Sequence, residues 1–203
     1  YLRLLFARLG TVLCGSCGRA VVADTPQAIA REAAAWPAGE TLLVLAPVRL
    51  SARLGWAEQA THLRTAGFTR ILTGDEPTPL DPLPELPRGD GQVLVVVDRF
   101  TWRAEESGRL VDSAEQAFRR GEGRLELRLG NRPAEKKSER WECAHCGAGA
   151  MRPEPALFSF NSPLGVCPTC RGFGDVLTFT ADRIVPDPTK TLRQGALAPW
   201  ARS

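Results

Sequence analysis

The chain has 203 residues, of which 43% are hydrophobic and 24% are charged, and its formal net charge at pH 7 is +3. This composition is typical of a globular protein with one or two domains. It excludes a predicted membrane span, because no run of about 18 apolar residues occurs, and so small a net charge is no argument by itself for nucleic-acid binding.

The predicted elements begin with an amphipathic helix over residues 1–9, which a glycine ends. Thr25 followed by Pro26 is typical of a helix start and predicts a helix as far as Trp36. A short, wholly apolar run over residues 41–46 predicts a buried strand.

The second group of predicted elements surrounds a proline-rich segment. These elements are a helix over residues 56–66, strands over 68–72 and 92–98, a helix over 110–121 and a strand over 125–129. Residues 74–91 contain five prolines and three glycines. Because proline removes backbone donors and fixes φ, we expect this segment to be a loop.

This order of elements predicts an α+β fold, in which a small mixed α/β domain precedes a zinc module with four cysteine ligands. The predicted organisation is a helical segment with a C-x-x-C pair over residues 1–21, the α+β domain over 22–131, a polar linker over 132–140, the zinc module over 141–174 and the start of a following region over 175–203. Because the sequence starts at Tyr1 without an initiator methionine and ends at Ser203 without a recognisable closing helix or strand, we expect a piece of a longer protein.

The predicted zinc module contains two C-x-x-C pairs. Cys143 and Cys146 form the first pair, and Cys167 and Cys170 form the second. Two such pairs supply the four thiolates of a tetrahedral zinc site, and four protein ligands leave no open position for water, so the zinc is expected to be structural. Two disulfides are the alternative, but nothing in the sequence indicates secretion, so we expect free thiols and a cytoplasmic protein.

One further cysteine pair and two histidines are the other side chains that could bind a metal. Cys14 and Cys17 form a C-x-x-C pair for which the sequence shows no partner pair, so this pair could hold metal with ligands from elsewhere or be metal-free. His145 lies inside the first predicted knuckle, where four sulfurs already complete the shell. His62 falls on a predicted helix and is expected to be a surface residue.

The sequence contains no motif for a catalytic centre of its own. It has no G-x-x-x-x-G-K-[ST] phosphate loop, no G-x-S-x-G elbow and no H-E-x-x-H helix. Residues 119–140 are rich in arginine and lysine, which fits either phosphate contacts or a solvated face with ion pairs. The loop between the two zinc pairs has an aromatic tip at Phe158 and Phe160, which fits either a nucleic-acid contact or packing against a neighbouring domain.

Three segments of the chain resemble the UvrA family, the damage-recognition ATPases of bacterial nucleotide excision repair. The string FSFNSPLGVCPTCRGFG over residues 158–174 is similar to a highly specific family motif. Residues 1–10, YLRLLFARLG, and residues 95–100, VVVDRF, are also similar to family segments. In that family this region lies between the phosphate loop and the signature sequence of the first nucleotide-binding half, which accounts for the missing phosphate loop.

The resemblance implies a role in docking a partner. The α+β domain resembles the family domain that docks UvrB, and two family arginines that contact this partner correspond to Arg70 and Arg99. A guanidinium suits this task because its planar fork binds a carboxylate through two hydrogen bonds. The resemblance also implies ATP, damaged duplex DNA and a homodimer for the full-length protein, with ATP bound outside this segment.

Three alternative interpretations remain open from the sequence. A paralogue of UvrA, such as a resistance-type ABC protein, would have a different partner. Residues 167–174 also fit C-x-x-C-x-G-x-G, the repeat of DnaJ-like chaperone modules, although only one copy is complete. A stand-alone enzyme would need a nucleophile–base pair or an open metal site, and the sequence shows neither.

Overall fold

The computed structural model describes residues 1–82, 84, 91–176 and 178–200. The helices are α1 (Leu2–Leu9), α2 (Pro26–Ala33), α3 (Trp56–Thr65), α4 (Ser107–Arg120) and α5 (Ala181–Ile184). The strands are β1 (Val12–Leu13), β2 (Ala20–Val21), β3 (Thr41–Arg49), β4 (Arg70–Thr73), β5 (Glu76–Pro79), β6 (Gln92–Thr101), β7 (Arg124–Leu129) and β8 (Glu135–Ser138). No helix in the described residues is both long enough and apolar enough to cross a membrane.

The chain folds into two compact units. The larger unit is Thr11–Arg152, and the smaller unit combines Tyr1–Gly10 with Pro153–Ser203. The boundary after Arg152 falls inside the predicted zinc module, so the two C-x-x-C pairs of that module belong to different units.

The larger unit contains a six-stranded antiparallel sheet in the order β5-β4-β6-β3-β7-β8. One face, which we call the helix face, packs against α2, α3 and α4 through buried apolar side chains such as Val44, Val95 and Leu127. Side chains alternate between the two faces of a strand, so the neighbours of these residues point the other way. This arrangement confirms the predicted α+β class.

The opposite face of the sheet, which we call the outer face, carries a smaller apolar cluster of Leu43, Leu45 and Leu72. Arg128 lies on the same face and forms ion pairs with Glu126 at 2.8 Å and with Asp75 at 2.5 Å. The outer face therefore combines a short apolar centre with charged side chains at its margins.

Local sequence signals account for the start of α2. The Thr25 hydroxyl accepts a hydrogen bond from the Ala28 N–H at 3.1 Å, and Pro26 occupies the first helical turn, as the sequence predicts. The helix ends at Ala33, three residues before the predicted end at Trp36. Trp36 instead packs edge-on against Trp102, with ring centroids 5.8 Å apart.

Two segments that the sequence predicts as irregular contain strands. The predicted loop over residues 74–91 includes β5, an edge strand, where proline is tolerated because one side of the strand needs no ladder partner. The predicted linker over residues 132–140 includes β8, the opposite edge strand. Residues 83 and 85–90 of the predicted loop lie outside the described residues.

The smaller unit consists of α1, α5 and short turns. Phe6 of α1 stacks on Phe158 with ring centroids 5.8 Å apart, and Arg3 donates a hydrogen bond to the Ser159 hydroxyl at 3.0 Å. Helix α1 ends before Gly10, as predicted. Of the described residues in this unit, only Ala196 is buried, so the unit has almost no apolar core of its own.

Candidate metal centre and docking groove

Four cysteine side chains of the larger unit converge on one point. The sulfur atoms of Cys14, Cys17, Cys143 and Cys146 all lie within 4.8 Å of one another. Cys14 Sγ is 3.5 Å from Cys146 Sγ, and Cys17 Sγ is 3.5 Å from Cys143 Sγ, so the thiols are free rather than bridged. Zinc–sulfur bonds of 2.3 Å in a tetrahedron require sulfur separations of about 3.8 Å. The cluster therefore matches a zinc site with four cysteine ligands in both donor chemistry and size.

The first knuckle, residues 14–18, lies between the two short strands β1 and β2. The Cys14 N–H donates to the Arg19 carbonyl at 2.8 Å, and the Gly18 N–H donates to the Cys14 carbonyl at 2.9 Å. Gly18 has a φ of +72°, a left-handed conformation that favours glycine. The turn thus presents both sulfurs to the same side.

The second knuckle, residues 143–147, repeats this geometry. The Cys143 N–H donates to the Ala148 carbonyl at 2.8 Å, and the Gly147 N–H donates to the Cys143 carbonyl at 2.8 Å. Gly147 has a φ of +74°. A backbone bridge between Glu142 and Gly149 closes the turn in the way that β1 and β2 close the first one.

The thiols of the cluster ionise unequally. Backbone N–H groups of Cys17 and Ser16 stabilise the Cys14 thiolate and lower the pKa of Cys14 to about 6. The N–H of Ala148 acts in the same direction on Cys146, but the neighbouring Cys14 sulfur and burial raise the pKa of Cys146 to about 11. Adjacent thiolates repel each other, and a divalent cation among them removes that repulsion.

Asp24 and Ser138 hold together the two chain segments that carry the knuckles. The Asp24 N–H donates to the Ser138 carbonyl at 2.7 Å, and the Ser138 N–H donates back to the Asp24 carboxylate at 2.9 Å. These bonds join the segment entering the α+β domain to the segment leaving it. These bonds bring together two knuckles that are distant in sequence, since Cys143 follows Cys17 by 126 positions.

Glu142 anchors the second knuckle to the sheet. Arg124 of β7 donates two hydrogen bonds of 2.6 Å to its carboxylate, and the Ser138 hydroxyl donates a third at 2.8 Å. The Arg124 guanidinium is the main reason that the pKa of Glu142 is below its usual value. A charged, fully bonded Glu142 fixes the position of the residue next to it, Cys143.

The docking residues expected from the family resemblance lie on the outer face. Strands β4 and β6 are neighbours, with Ile71 opposite Val95 on the helix face, so Arg70 points to the outer face. Strand β6 contains a bulge in which Val97 has no partner on β3, and Arg99 then pairs with Leu43. The extra residue shifts the alternation and directs Arg99 to the same face as Arg70.

Arg70 and Arg99 line one groove with a volume of about 580 Å³. The other lining residues are Arg64, Phe68, Thr69, Pro79, Leu80, Asp81, Val96, Val97 and Asp98. Both arginines are exposed, and within the described part of the chain neither forms an ion pair. Their guanidinium groups are thus available to a ligand or partner.

Asp98 supports the bulge next to Arg99. Its carboxylate accepts hydrogen bonds from the Arg99 N–H at 2.7 Å, from Arg109 at 2.9 Å and from the Ser113 hydroxyl at 2.7 Å. Partial burial acts to raise the pKa of Asp98, but these donors outweigh it and hold the pKa below its usual value. The Arg109 guanidinium also lies 4.5 Å from the centre of the Phe100 ring, which braces the same end of β6.

Comparisons with known proteins identify the family of this chain. The family model described as the UvrA interaction domain matches residues 24–130. The chain belongs to the UvrA family. It is 40% identical over 209 residues to UvrABC system protein A of Mycobacterium bovis, and 36% identical over 201 residues to that of Streptococcus pyogenes serotype M1. These alignments cover 99% and 98% of this chain but only 22% and 21% of the relatives, so the chain spans about a fifth of their length.

The match to the UvrA interaction domain disfavours the DnaJ-like alternative. The residues matched, 24–130, contain β3 to β7 with α2, α3 and α4, and both Arg70 and Arg99. They contain none of the six cysteines. The cluster of four cysteines therefore flanks the matched domain on both of its chain connections.

The structure groups the cysteines differently from the sequence prediction. The sequence predicts that Cys143 and Cys146 share a metal with Cys167 and Cys170, but they cluster with Cys14 and Cys17. The sequence shows no partner pair for Cys14 and Cys17, but the structure brings Cys143 and Cys146 beside them, because β8 returns the chain to the point where it entered the domain. Cys167 and Cys170 belong to the smaller unit.

The pair in the smaller unit nonetheless forms a knuckle. The Arg171 N–H donates to the Cys167 carbonyl at 2.7 Å, and Arg171 has a φ of +52°. Backbone N–H groups of Cys170 and Thr169 lower the pKa of Cys167. Metal binding by this pair stays a prediction.

One sequence signal could have indicated the correct grouping. In the two knuckles that cluster, a glycine follows the second cysteine, Gly18 in one and Gly147 in the other, whereas Arg171 stands there in the third. The two histidines play no part in the sulfur cluster, which is complete without them; His145 and His62 are both exposed.

Proposed function

We propose that this chain is the partner-docking part of a UvrA protein and binds a UvrB-like protein through the groove that contains Arg70 and Arg99. The supporting observation is that a β-bulge directs Arg99 to the face that already carries Arg70, so two guanidinium groups without an ion-pair partner among the described residues line one groove. Two planar forks on one rigid sheet suit paired carboxylates of a protein surface.

The test is binding of the 203-residue chain to purified UvrB. Arg70→Ala and Arg99→Glu should each weaken binding by about 2–5 kcal/mol, the cost of truncating a charge contact that becomes buried in an interface. Arg49→Ala is the matched control, since Arg49 is an exposed strand arginine on the same sheet but outside the groove. Wild-type affinity in both groove variants would refute the docking proposal.

The same assay separates UvrA itself from a paralogue. A paralogue with another partner would fold and keep its metal content but would not bind UvrB at any concentration tested. Measuring zinc on the same sample shows whether a lack of binding reflects a different partner or an unfolded chain.

We also propose that Cys14, Cys17, Cys143 and Cys146 hold one structural zinc ion. Four thiolates from two knuckles fit such an ion in number, type and spacing. Zinc would supply a cross-link between the two chain segments that enter and leave the docking domain. The residues themselves orient the sulfurs through the backbone bonds of each knuckle, and Glu142 ties the second knuckle to β7.

The remaining functions implied by the family belong to the longer protein. We propose that ATP hydrolysis, binding of damaged duplex DNA and homodimer formation depend on residues outside this chain. We also propose that the protein works in the cytoplasm, where cysteines stay reduced and can bind zinc instead of forming disulfides. The isolated chain should have no ATPase activity, and any activity above that of a buffer blank would contradict this division.

Cys167 and Cys170 supply two thiolates, so this pair would need two further ligands to complete a zinc site.

A further inference from the structure

A third arginine lines the docking groove. Arg64 lies in the last turn of α3, and its side chain contributes to the same groove as Arg70 and Arg99. Its side chain makes a local hydrogen bond, from Nη2 to the Thr61 hydroxyl at 3.2 Å. The residue is exposed, and within the described part of the chain it forms no ion pair.

The carboxylates of the groove do not neutralise these three arginines. Two line it, Asp81 and Asp98. Asp98 is already paired with Arg109, which lies outside the lining, and with the Ser113 hydroxyl. Among the described residues, three guanidinium groups therefore face one uncommitted carboxylate, that of Asp81, and this described lining carries a net positive charge.

The remaining lining favours a protein ligand over a nucleic acid. Phe68 and Val96, both only partly buried, give the groove an apolar component that matches side chains better than a phosphate backbone. A volume of about 580 Å³ accommodates a few side chains rather than the continuous basic track that a nucleic acid requires.

We propose that Arg64 is a third contact residue and that the groove receives an acidic segment of the partner, with carboxylate side chains on the three arginines and an apolar side chain against Phe68 and Val96. This inference rests on the proposed docking function and deepens it. Helix α3 and strands β4 and β6 hold the three arginines on separate rigid elements, so the groove can select the spacing of the partner's carboxylates.

The experiment measures binding of UvrB to the full 203-residue chain and to Arg64→Ala, Arg64→Lys and Arg64→Glu variants at low and high salt. We expect about a twofold to fivefold loss of affinity for Arg64→Ala, the range for one exposed ion pair, and a larger loss for Arg64→Glu. Arg64→Lys should keep part of the affinity, because lysine retains the charge but not the planar fork. The salt dependence should become less steep in Arg64→Ala.

Arg31→Ala is the matched control. Arg31 also lies in the last turn of a helix and is exposed, and among the described residues its side chain bonds only within that helix, through Nε to the Gln27 carbonyl at 3.3 Å. Removing Arg31 takes a positive charge from the C-terminal end of a helix, as removing Arg64 does, but leaves the groove unchanged. Equal affinity of the Arg64→Ala and Arg31→Ala variants, with Arg70→Ala and Arg99→Glu still weakened, would overturn the inference about Arg64 and leave the docking proposal intact.

A second arm tests the chemistry of the ligand. A short peptide with alternating glutamate and leucine should compete with UvrB for the wild-type chain and compete less well for Arg64→Ala. A short DNA duplex at the same concentration should not compete. Competition by the duplex and not by the peptide would overturn the assignment to an acidic protein segment.

Discussion

Both units contain the same local turn, a C-x-x-C knuckle, but the units differ in how many sulfur atoms these turns bring together. In the larger unit, knuckles at residues 14–18 and 143–147 face each other and form a complete set of four sulfurs. In the smaller unit, the knuckle that begins at Cys167 has the same carbonyl-closing backbone bond but only two sulfurs. A C-x-x-C turn is thus a local property of sequence, whereas a metal shell needs tertiary structure to bring two turns together.

The two units differ equally in their apolar cores. The larger unit buries one continuous cluster between the sheet and three helices. Many large apolar side chains of the smaller unit are exposed, including Phe173 at 85% and Phe179 at 95%. Stability of the isolated chain should therefore depend on the larger unit, because burial of apolar surface is the main source of folding free energy.

Cysteine substitutions should give the largest difference between the units. Cys143→Ser should remove the bound zinc and lower the melting temperature by about 10 °C or more, because loss of a structural metal costs several kcal/mol and each kcal/mol shifts the melting temperature by about 2–4 °C at this size. Zinc content by atomic absorption and thermal unfolding by circular dichroism measure both effects.

Cys167→Ser is the control for this comparison. It should keep one zinc per chain and change the melting temperature little, since the described residues of the smaller unit do not assemble a complete set of ligands. Equal loss of zinc from both variants would show that the pairing predicted from the sequence, and not the cluster in the larger unit, binds the metal.

Truncation of apolar side chains should give the second largest difference. Trp102 is 2% exposed and packs against Trp36, so Trp102→Ala should lower the free energy of unfolding by about 3–5 kcal/mol. Phe173→Ala in the smaller unit should change it by less than about 0.5 kcal/mol. Urea unfolding followed by circular dichroism tests both values, and similar costs for the two variants would mean that Phe173 is buried in solution.

Substitution of Asp98, which supports the bulge beside Arg99, should give the smallest effect, and this effect should depend on pH. Because donors from Arg109, Ser113 and Arg99 lower the pKa of folded Asp98, its charged form stabilises the fold above the unfolded pKa of about 4 and loses that effect as pH falls through the folded value. Asp98→Asn should therefore cost about 1–3 kcal/mol at pH 7 and less at a pH of about 3.5.

Urea unfolding of the wild type and this variant at each pH measures the difference. Asp112→Asn, on the exposed side of α4, is the control and should change the free energy of unfolding by less than about 0.5 kcal/mol at both pH values. A cost for Asp98→Asn that stays constant with pH would show that the carboxylate charge does not stabilise the fold.

The amino-acid sequence alone determined the class of fold and most of its elements. Thr25 and Pro26 begin a helix, and the apolar runs at residues 41–46 and 92–98 form the central strands β3 and β6. These features are local, because capping bonds and side-chain periodicity act within a few residues. The motif at residues 158–174 likewise indicated the UvrA family without any knowledge of the fold.

Tertiary structure decided which cysteines meet and which way Arg99 points. The edge strand β8 carries charged residues that resemble a linker, yet its pairing with β7 returns Cys143 to Cys14. The bulge at Val97 exists only in the register between β3 and β6. Both depend on contacts between residues distant in the chain, and the local pattern of side chains cannot encode such pairings by itself.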